Sequence, residues 1–291
     1  MDSWWQRRPL GRTGLMVSRL GLGSSYGVAG RDVDRAVERG VNYLYWGSRR
    51  DPDFGRAVTR AARRDRDGTV VVVQSYARAG VALRPSLELA LRRLRIEHAD
   101  VLLLGWWNQP PPDRIVDKAL ELREAGKVRA LMISCHHRPT FPTFVADPVW
   151  GAIMVRYNAA HRGAEGEVFP SVAAATTPPG VVAYTATRWG GLLDRRLVPA
   201  AEPVPRASDC YRFALTRPEV DVVLAGPASG AELDEALAAL DRGPLSADEL
   251  AWMRRVGDGV KQIGAVQAAR SGNAGALWER VVDRARRLAG R

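Results

Sequence analysis

The sequence predicts an α/β chain closed into a (β/α)8 TIM barrel, with an N-terminal β-hairpin and C-terminal helices. Three observations carry this. Short aliphatic runs without polar alternation recur along the chain, the pattern of parallel strands covered on both faces. Stretches with apolar residues at helical spacing lie between several of them, which argues for a parallel sheet. The runs number eight once a short first strand is included.

The elements follow in order. Arg8 to Ser18 reads as a hairpin with Arg12-Thr13-Gly14 in its turn. Leu20-Gly21-Leu22-Gly23 is the short first strand. Asp32 to Arg39 is a helix that Gly40 ends, as glycines just past a helix do. Asn42 to Gly47 is the second strand. Val70 to Tyr76 and Val101 to Asn108 are the next two, and both end in polar and aromatic residues. Between them, Leu87, Leu91 and Leu94 mark one face of a helix over Pro85 to Leu94, with Glu88, Arg92 and Arg93 on the other. Asp113 to Ala125 is a helix closed by Gly126. Strands follow at Val128–Ser134, Ala152–Asn158, Gly180–Tyr184 and Val220–Gly226. The tail from Leu245 reads as two amphipathic helices broken near Ser271-Gly272-Asn273. A doubly wound open sheet is the other arrangement for such a pattern. It would carry a phosphate loop after its first strand, and Gly21-Leu22-Gly23-Ser24-Ser25-Tyr26 does not complete G-x-G-x-x-G.

Bulk properties narrow the function. The chain has 291 residues, 46% of them hydrophobic, and no linker or repeat divides it. A single domain over 1–291 is expected. No apolar run approaches the roughly 20 residues that span a bilayer, so no membrane association is expected. Met1-Asp2-Ser3-Trp4-Trp5 lacks a signal peptide's apolar core, and Cys135 and Cys210 are the only cysteines, so a reducing cytoplasm is the expected location. The net charge of +11 invites a nucleic-acid reading. The basic residues are nearly all arginine, scattered among acids with no aromatic-lined stripe, and no nucleic-acid partner is expected. A small-molecule substrate, and a homo-oligomer as an open option, remain as partners. No metal-ligand spacing occurs.

In a parallel α/β protein the chemistry sits at the carboxyl ends of the strands. Those ends here carry Tyr45, Trp46, Tyr76, Trp106, Trp107 and Asn108, and the loop after the second strand carries Arg49 and Arg50. Trp106 and Trp107 are adjacent, so strand alternation turns only one of them inward. The two arginines read either as an anion fork or as a solvated loop. His136 can supply a base that titrates near neutrality, or it can simply face solvent. Arg156 lies on a strand and needs a partner, for which Glu165 and Asp209 are candidates. Cys135 reads as a small buried thiol.

Several stretches resemble the aldo-keto reductases. Pro9-Leu10-Gly11-Arg12-Thr13-Gly14-Leu15 with Val17-Ser18, then Leu20-Gly21-Leu22-Gly23, is similar to that family's opening hairpin and first strand. Gly40-Val41-Asn42-Tyr43, Gly126-Lys127-Val128-Arg129-Ala130, Arg156-Tyr157-Asn158, Ala183-Tyr184 and Gly191-Leu192-Leu193 fall where the family places its own counterparts. The resemblance runs from about position 8 to about position 260. It implies a (β/α)8 barrel that uses NADPH, with a Tyr acid tuned by a Lys–Asp pair and a His that orients the carbonyl. Such tuning brings a phenol from near pKa 10 into working range. On the matching positions, Tyr45 replaces the Asp, Arg50 falls near the Tyr, Tyr76 replaces the Lys and Gly105 replaces the His.

The resemblance also implies cofactor contacts. Ser134 and Tyr184 would meet the nicotinamide. Gly191, Leu192, Gly226 and Ser229 would belong to the loops that hold the phosphates, though Ala228 and Ala236 stand where a basic residue and an Asn would help. NADP is therefore expected at a weakened site. Tyr45, Arg50, Tyr76 and His136 are the candidate catalytic set. Trp46, Arg49, Trp106, Trp107, Asn108 and Tyr157 are the candidate substrate pocket. Tyr45 and Tyr76 read either as proton donors or as bulky filler. Three readings of function stay open: an enzyme with altered chemistry, an NAD(P)H-dependent oxidoreductase with atypical acid groups, and a non-catalytic pseudoenzyme that binds or regulates.

Overall fold

A computed structural model describes residues 3–47 and 49–270, with side chains up to residue 264. The chain opens with a hairpin of β1 (Arg8–Pro9) and β2 (Met16–Val17). Eight parallel strands then close into a barrel: β3 (Leu20–Gly23), β4 (Tyr43–Trp46), β5 (Val70–Ser75), β6 (Ala99–Leu104), β7 (Val128–Ser134), β8 (Ala152–Arg156), β9 (Gly180–Tyr184) and β10 (Val222–Ala225). Around it lie α1 (Gly30–Glu38), α2 (Pro52–Arg64), α3 (Gly80–Leu94), α4 (Asp113–Glu124), α5 (Phe141–Ala146), α6 (Ala164–Glu167), α7 (Phe169–Ala174), α8 (Ala207–Leu215), α9 (Gly230–Arg242) and α10 (Ala247–Arg270). The expected break near Ser271 lies outside the described residues.

Alternation sorts each strand into two sets. The inward set is one cluster with Tyr43, Tyr45, Val70, Val72, Val101 and Leu103 at its heart. The outward set packs under the helices. Room for the two tyrosines comes from the first strand. Gly21 pairs with Tyr43 and Gly23 with Tyr45. A β-carbon on Gly21 would lie 2.5 Å from the Tyr43 ring. The two glycines thus yield their share of the interior to aromatic rings.

The hairpin closes the bottom of the barrel. Leu10, Leu15 and Val17 join the inward cluster. Gly11, with φ +44°, lies so close to Gly180 that any β-carbon would overlap the Gly180 backbone. Arg12 donates to the carbonyls of Trp150 (3.0 Å), Thr177 (3.0 Å) and Val145 (3.1 Å), so its side chain caps backbone groups that the strands leave open.

Buried aspartates stand at the starts of two strands whose bounds differ from the sequence expectation. β6 begins at Ala99 and so contains Asp100, which is fully buried. Its carboxylate accepts from Val71 N at 2.8 Å and pairs with Arg66 at 2.9 Å and Arg129 at 3.2 Å. A paired and hydrogen-bonded charge can stay inside a strand. β10 starts at Val222, and the Asp221 carboxylate just before it accepts from Val181 N at 2.9 Å. The helix expected over Pro85–Leu94 starts five residues earlier at Gly80 and carries Pro85 in its interior.

Candidate functional site

The carboxyl ends of the barrel strands form a mouth lined by the last inward residue of each. Tyr45 is buried, and its hydroxyl donates to Gln74 Oε1. Gln74 follows Val70 and Val72 on the same face of β5, and Tyr76 continues that row into a half-exposed position. Across from them stands Gly105, directly after β6. A β-carbon there would overlap the Gln74 amide and lie 2.8 Å from the Tyr76 ring. The space a side chain at 105 would occupy is therefore taken by Gln74 and Tyr76.

Trp106 follows in the left-handed region at φ +65°. Its amide donates to Ser134 Oγ at 2.8 Å, and the Trp107 amide donates to Ser134 O at 2.8 Å. Arg78 holds the turn from outside by donating to the carbonyls of Gly105 (3.0 Å) and Trp106 (2.8 Å). The Trp106 ring then stands 5.2 Å from the His136 imidazole. His136 meets Tyr184 edge-on at 6.3 Å. Its amide donates to Asn108 Oδ1 at 2.9 Å, which fixes the loop that carries it.

Burial, and next the positive charge of Arg156, push the His136 imidazole down to a pKa of about 4, so it is neutral at neutral pH. Burial raises the Tyr184 phenol to about 12. The Tyr184 hydroxyl is buried with no hydrogen-bond partner among the described residues.

The structure thus brings Tyr45, Tyr76, Trp106, Ser134, His136 and Tyr184 to one mouth. Asn108 braces the His136 loop. Other expected site residues lie elsewhere. Trp46 alternates outward, donates from its indole to Asp51 O at 2.9 Å and packs under α2. Arg50 lies on that outer side, donating to Gln74 O at 2.9 Å with its guanidinium 5.4 Å from the Trp46 ring. The Arg49 side chain is exposed and its carbonyl accepts from Ser24 Oγ. Trp107 turns away from the mouth to pack against the core, beneath Arg78 at 4.2 Å. Tyr157 is buried between Phe169 and Phe213 with its hydroxyl on Glu165 at 2.7 Å.

The two carboxylates considered for Arg156 have arginines of their own. Glu165 is gripped by Arg254 at 2.9 Å, and Asp209 by Arg242 at 2.8 Å and Arg212 at 3.4 Å. Leu192 is a core residue. Its amide donates to Thr187 O, and that of Gly191 to Arg188 O, so both are spent within their own turn.

Gln74 is readable from its two-residue step after Val72. Two contacts escape sequence reading. Tyr26 covers Gly226, where a β-carbon would overlap its ring. Glu232, in the first turn of α9, accepts from Ala228 N at 2.8 Å, while Ser229 caps the helix by accepting from Glu232 N at 3.2 Å. No local pattern announces either. Among the described residues no group of three His, Cys, Asp or Glu gathers to hold a metal, and no helix is long and apolar enough to cross a membrane.

Solved structures place this architecture. The chain superposes on the holo form of aldo-keto reductase AKR11C1 from Bacillus halodurans with a TM-score of 0.73 at 22% identity, covering 86% of this chain and 96% of that one. The chain has the aldo-keto reductase fold. An aldo-keto reductase from Klebsiella pneumoniae in complex with NADPH gives a TM-score of 0.71 at 23% identity, over 87% of this chain and 95% of that one. A putative 2,5-diketo-D-gluconic acid reductase B gives 0.66 at 21%, over 86% and 91%. No family model matches the chain. The resemblance read from the hairpin and the strand-end motifs thus holds at the level of the fold.

Proposed function

We propose that the chain acts on a small organic molecule at the barrel mouth, by chemistry other than tyrosine-acid carbonyl reduction. One observation carries the reading. The mouth holds a Tyr45–Gln74 hydrogen bond, with Tyr76 and Gln74 filling the space before Gly105, at the positions that the sequence resemblance would give to an Asp, a Lys and a His. No lysine is placed to tune either tyrosine. The chain has three. Lys118 pairs with Glu121 on α4, Lys127 sits in the turn before β7, and Lys261 lies on α10.

What remains suits binding. Trp106, His136 and Tyr184 offer ring faces and edges to a planar molecule. His136, neutral near pH 7, presents a hydrogen-bonding edge without a charge.

A dinucleotide fits these residues poorly. The amide of Ala228, at the start of the loop before α9, is answered by the Glu232 carboxylate, which would repel a phosphate. No Lys or Arg lies between Gly226 and Gly230 to offset it. This supports a weakened NADP site, although a structural neighbour was solved with NADPH bound.

The test is calorimetric titration of the full chain with NADPH and NADH, followed by a thermal-shift screen of planar carbonyl and heteroaromatic compounds. The expected result is no cofactor binding below millimolar concentration, with a hit whose affinity falls at least tenfold in Trp106→Ala or His136→Ala. Micromolar NADPH binding with NADPH-dependent carbonyl reduction would overturn the reading in favour of a reductase with atypical acid groups.

A further inference from the structure

A second concavity lies outside the barrel, between α2 and α3. It encloses about 660 Å³, and six arginines line it: Arg50, Arg56, Arg60, Arg63, Arg93 and Arg95. Three of them, Arg56, Arg60 and Arg63, recur at i, i+4 and i+7 on α2 and so share one face. Arg93 and Arg95 come from the end of α3, and Arg50 from the loop before α2. The groove is held open on its floor by small residues. Gly55 packs against the edge of Trp46, since a β-carbon there would lie 3.1 Å from the indole nitrogen. Thr59 spends its hydroxyl on Leu94 O at 2.7 Å.

The charge on its walls is unbalanced. Asp53 answers Arg56 at 3.0 Å and Asp34 answers Arg60 at 2.7 Å. Arg63, Arg93 and Arg95 pair with no carboxylate among the described residues, and Arg50 donates to the Gln74 carbonyl. Arg93 stands near enough to Arg50 for its like charge, after burial, to depress the Arg50 guanidinium. Gathering like charges in a concave site costs free energy that an anion would repay.

We propose that this groove is a binding site for a compact, multiply charged phosphate anion, a phosphate chain either free or carried by a nucleotide. Guanidinium forks match phosphate oxygens in pairs. The volume falls within the range of about 300–1,000 Å³ typical of small-molecule sites. An extended single-stranded nucleic acid is the other polyanion to weigh. It would need exposed rings for its bases to stack on, and the groove's only aromatic, Trp46, is 2% exposed.

The test is calorimetric titration of the full chain with sodium triphosphate at 0.15 M NaCl, with ATP in parallel. It reads binding alone, so it does not depend on any activity at the mouth. The expected result is saturable one-to-one binding that weakens at least tenfold in the triple variant Arg63→Ala, Arg93→Ala, Arg95→Ala. A control triple variant, Arg31→Ala, Arg123→Ala, Arg196→Ala, removes the same charge elsewhere and should bind within twofold of the parent. Equal affinity for triphosphate and ATP assigns the site to the phosphate chain alone. Tighter ATP binding that the groove variant abolishes assigns it to a nucleotide. Both support the site. Equal losses in the two triple variants, or tighter binding of a single-stranded oligonucleotide than of triphosphate, would overturn it. Circular dichroism of each variant separates lost binding from lost folding.

Discussion

Two imidazoles, His136 and His161, are held neutral by their surroundings. Burial, and next the charge of Arg156, bring each down from 6.5 to a pKa of about 4. The unfolded chain takes up protons on both as pH falls from 6.5 towards 4, while the folded chain refuses them. Stability should therefore decline across that window and be fully restored above it. The variant His136→Gln, His161→Gln removes this contribution. The expected outcome is a flatter profile of Tm against pH between 6.5 and 4 than in the parent. An unchanged slope would mean that neither imidazole is held neutral in the folded chain.

At the scale of elements, the foot of the barrel is pinned by Asp100. From one strand it takes a β5 amide, a cation from the α2–β5 turn and a cation from β7. Asp100→Ala would leave Arg66 and Arg129 facing each other with nothing between them. A loss of about 3 kcal/mol is expected from removing one side of such a buried charge cluster, measured as a shift in the urea midpoint. Asp100→Asn should lose less, because its amide oxygen can still accept from Val71.

This same residue shows where sequence reading stopped. The aliphatic run from Val101 marked β6, because both faces of a barrel strand are covered. Asp100 fell outside that run, because its two cations come from segments 34 and 29 residues away. β7 and β9 were legible to the residue, since each is bounded by glycine or a turn. At the site, alternation set Trp106 and Trp107 on opposite sides. It equally predicts Trp46 outward once Tyr45 is inward, and Arg50 follows Trp46. Glu232 over Ala228 and Tyr26 over Gly226 were not legible, because each joins a loop to a helix or strand through a contact that no local pattern encodes.

For the molecule as a whole, closure depends on the hairpin as much as on the ring of strands. Leu10 is fully buried in the inward cluster and lies against Gly180, where a β-carbon would come 2.9 Å from the Leu10 backbone. Leu10→Ala would open a cavity at the bottom of the barrel, at an expected cost of about 2–5 kcal/mol. The measurement is thermal unfolding followed by both near- and far-ultraviolet circular dichroism. Coincident transitions at a lowered Tm would show that the plug and the ring unfold together. A hairpin that melts first, with the ring intact, would show that the barrel stands without it.

The mouth and the arginine groove meet in the four residues of β4, where Tyr45 points into one and Trp46 into the other. A one-residue insertion or register slip in this strand would exchange the two side chains, sending the indole inside and the phenol out. A slip of that kind remodels both chambers at once, whereas a point substitution at Tyr45 or Trp46 alters one alone.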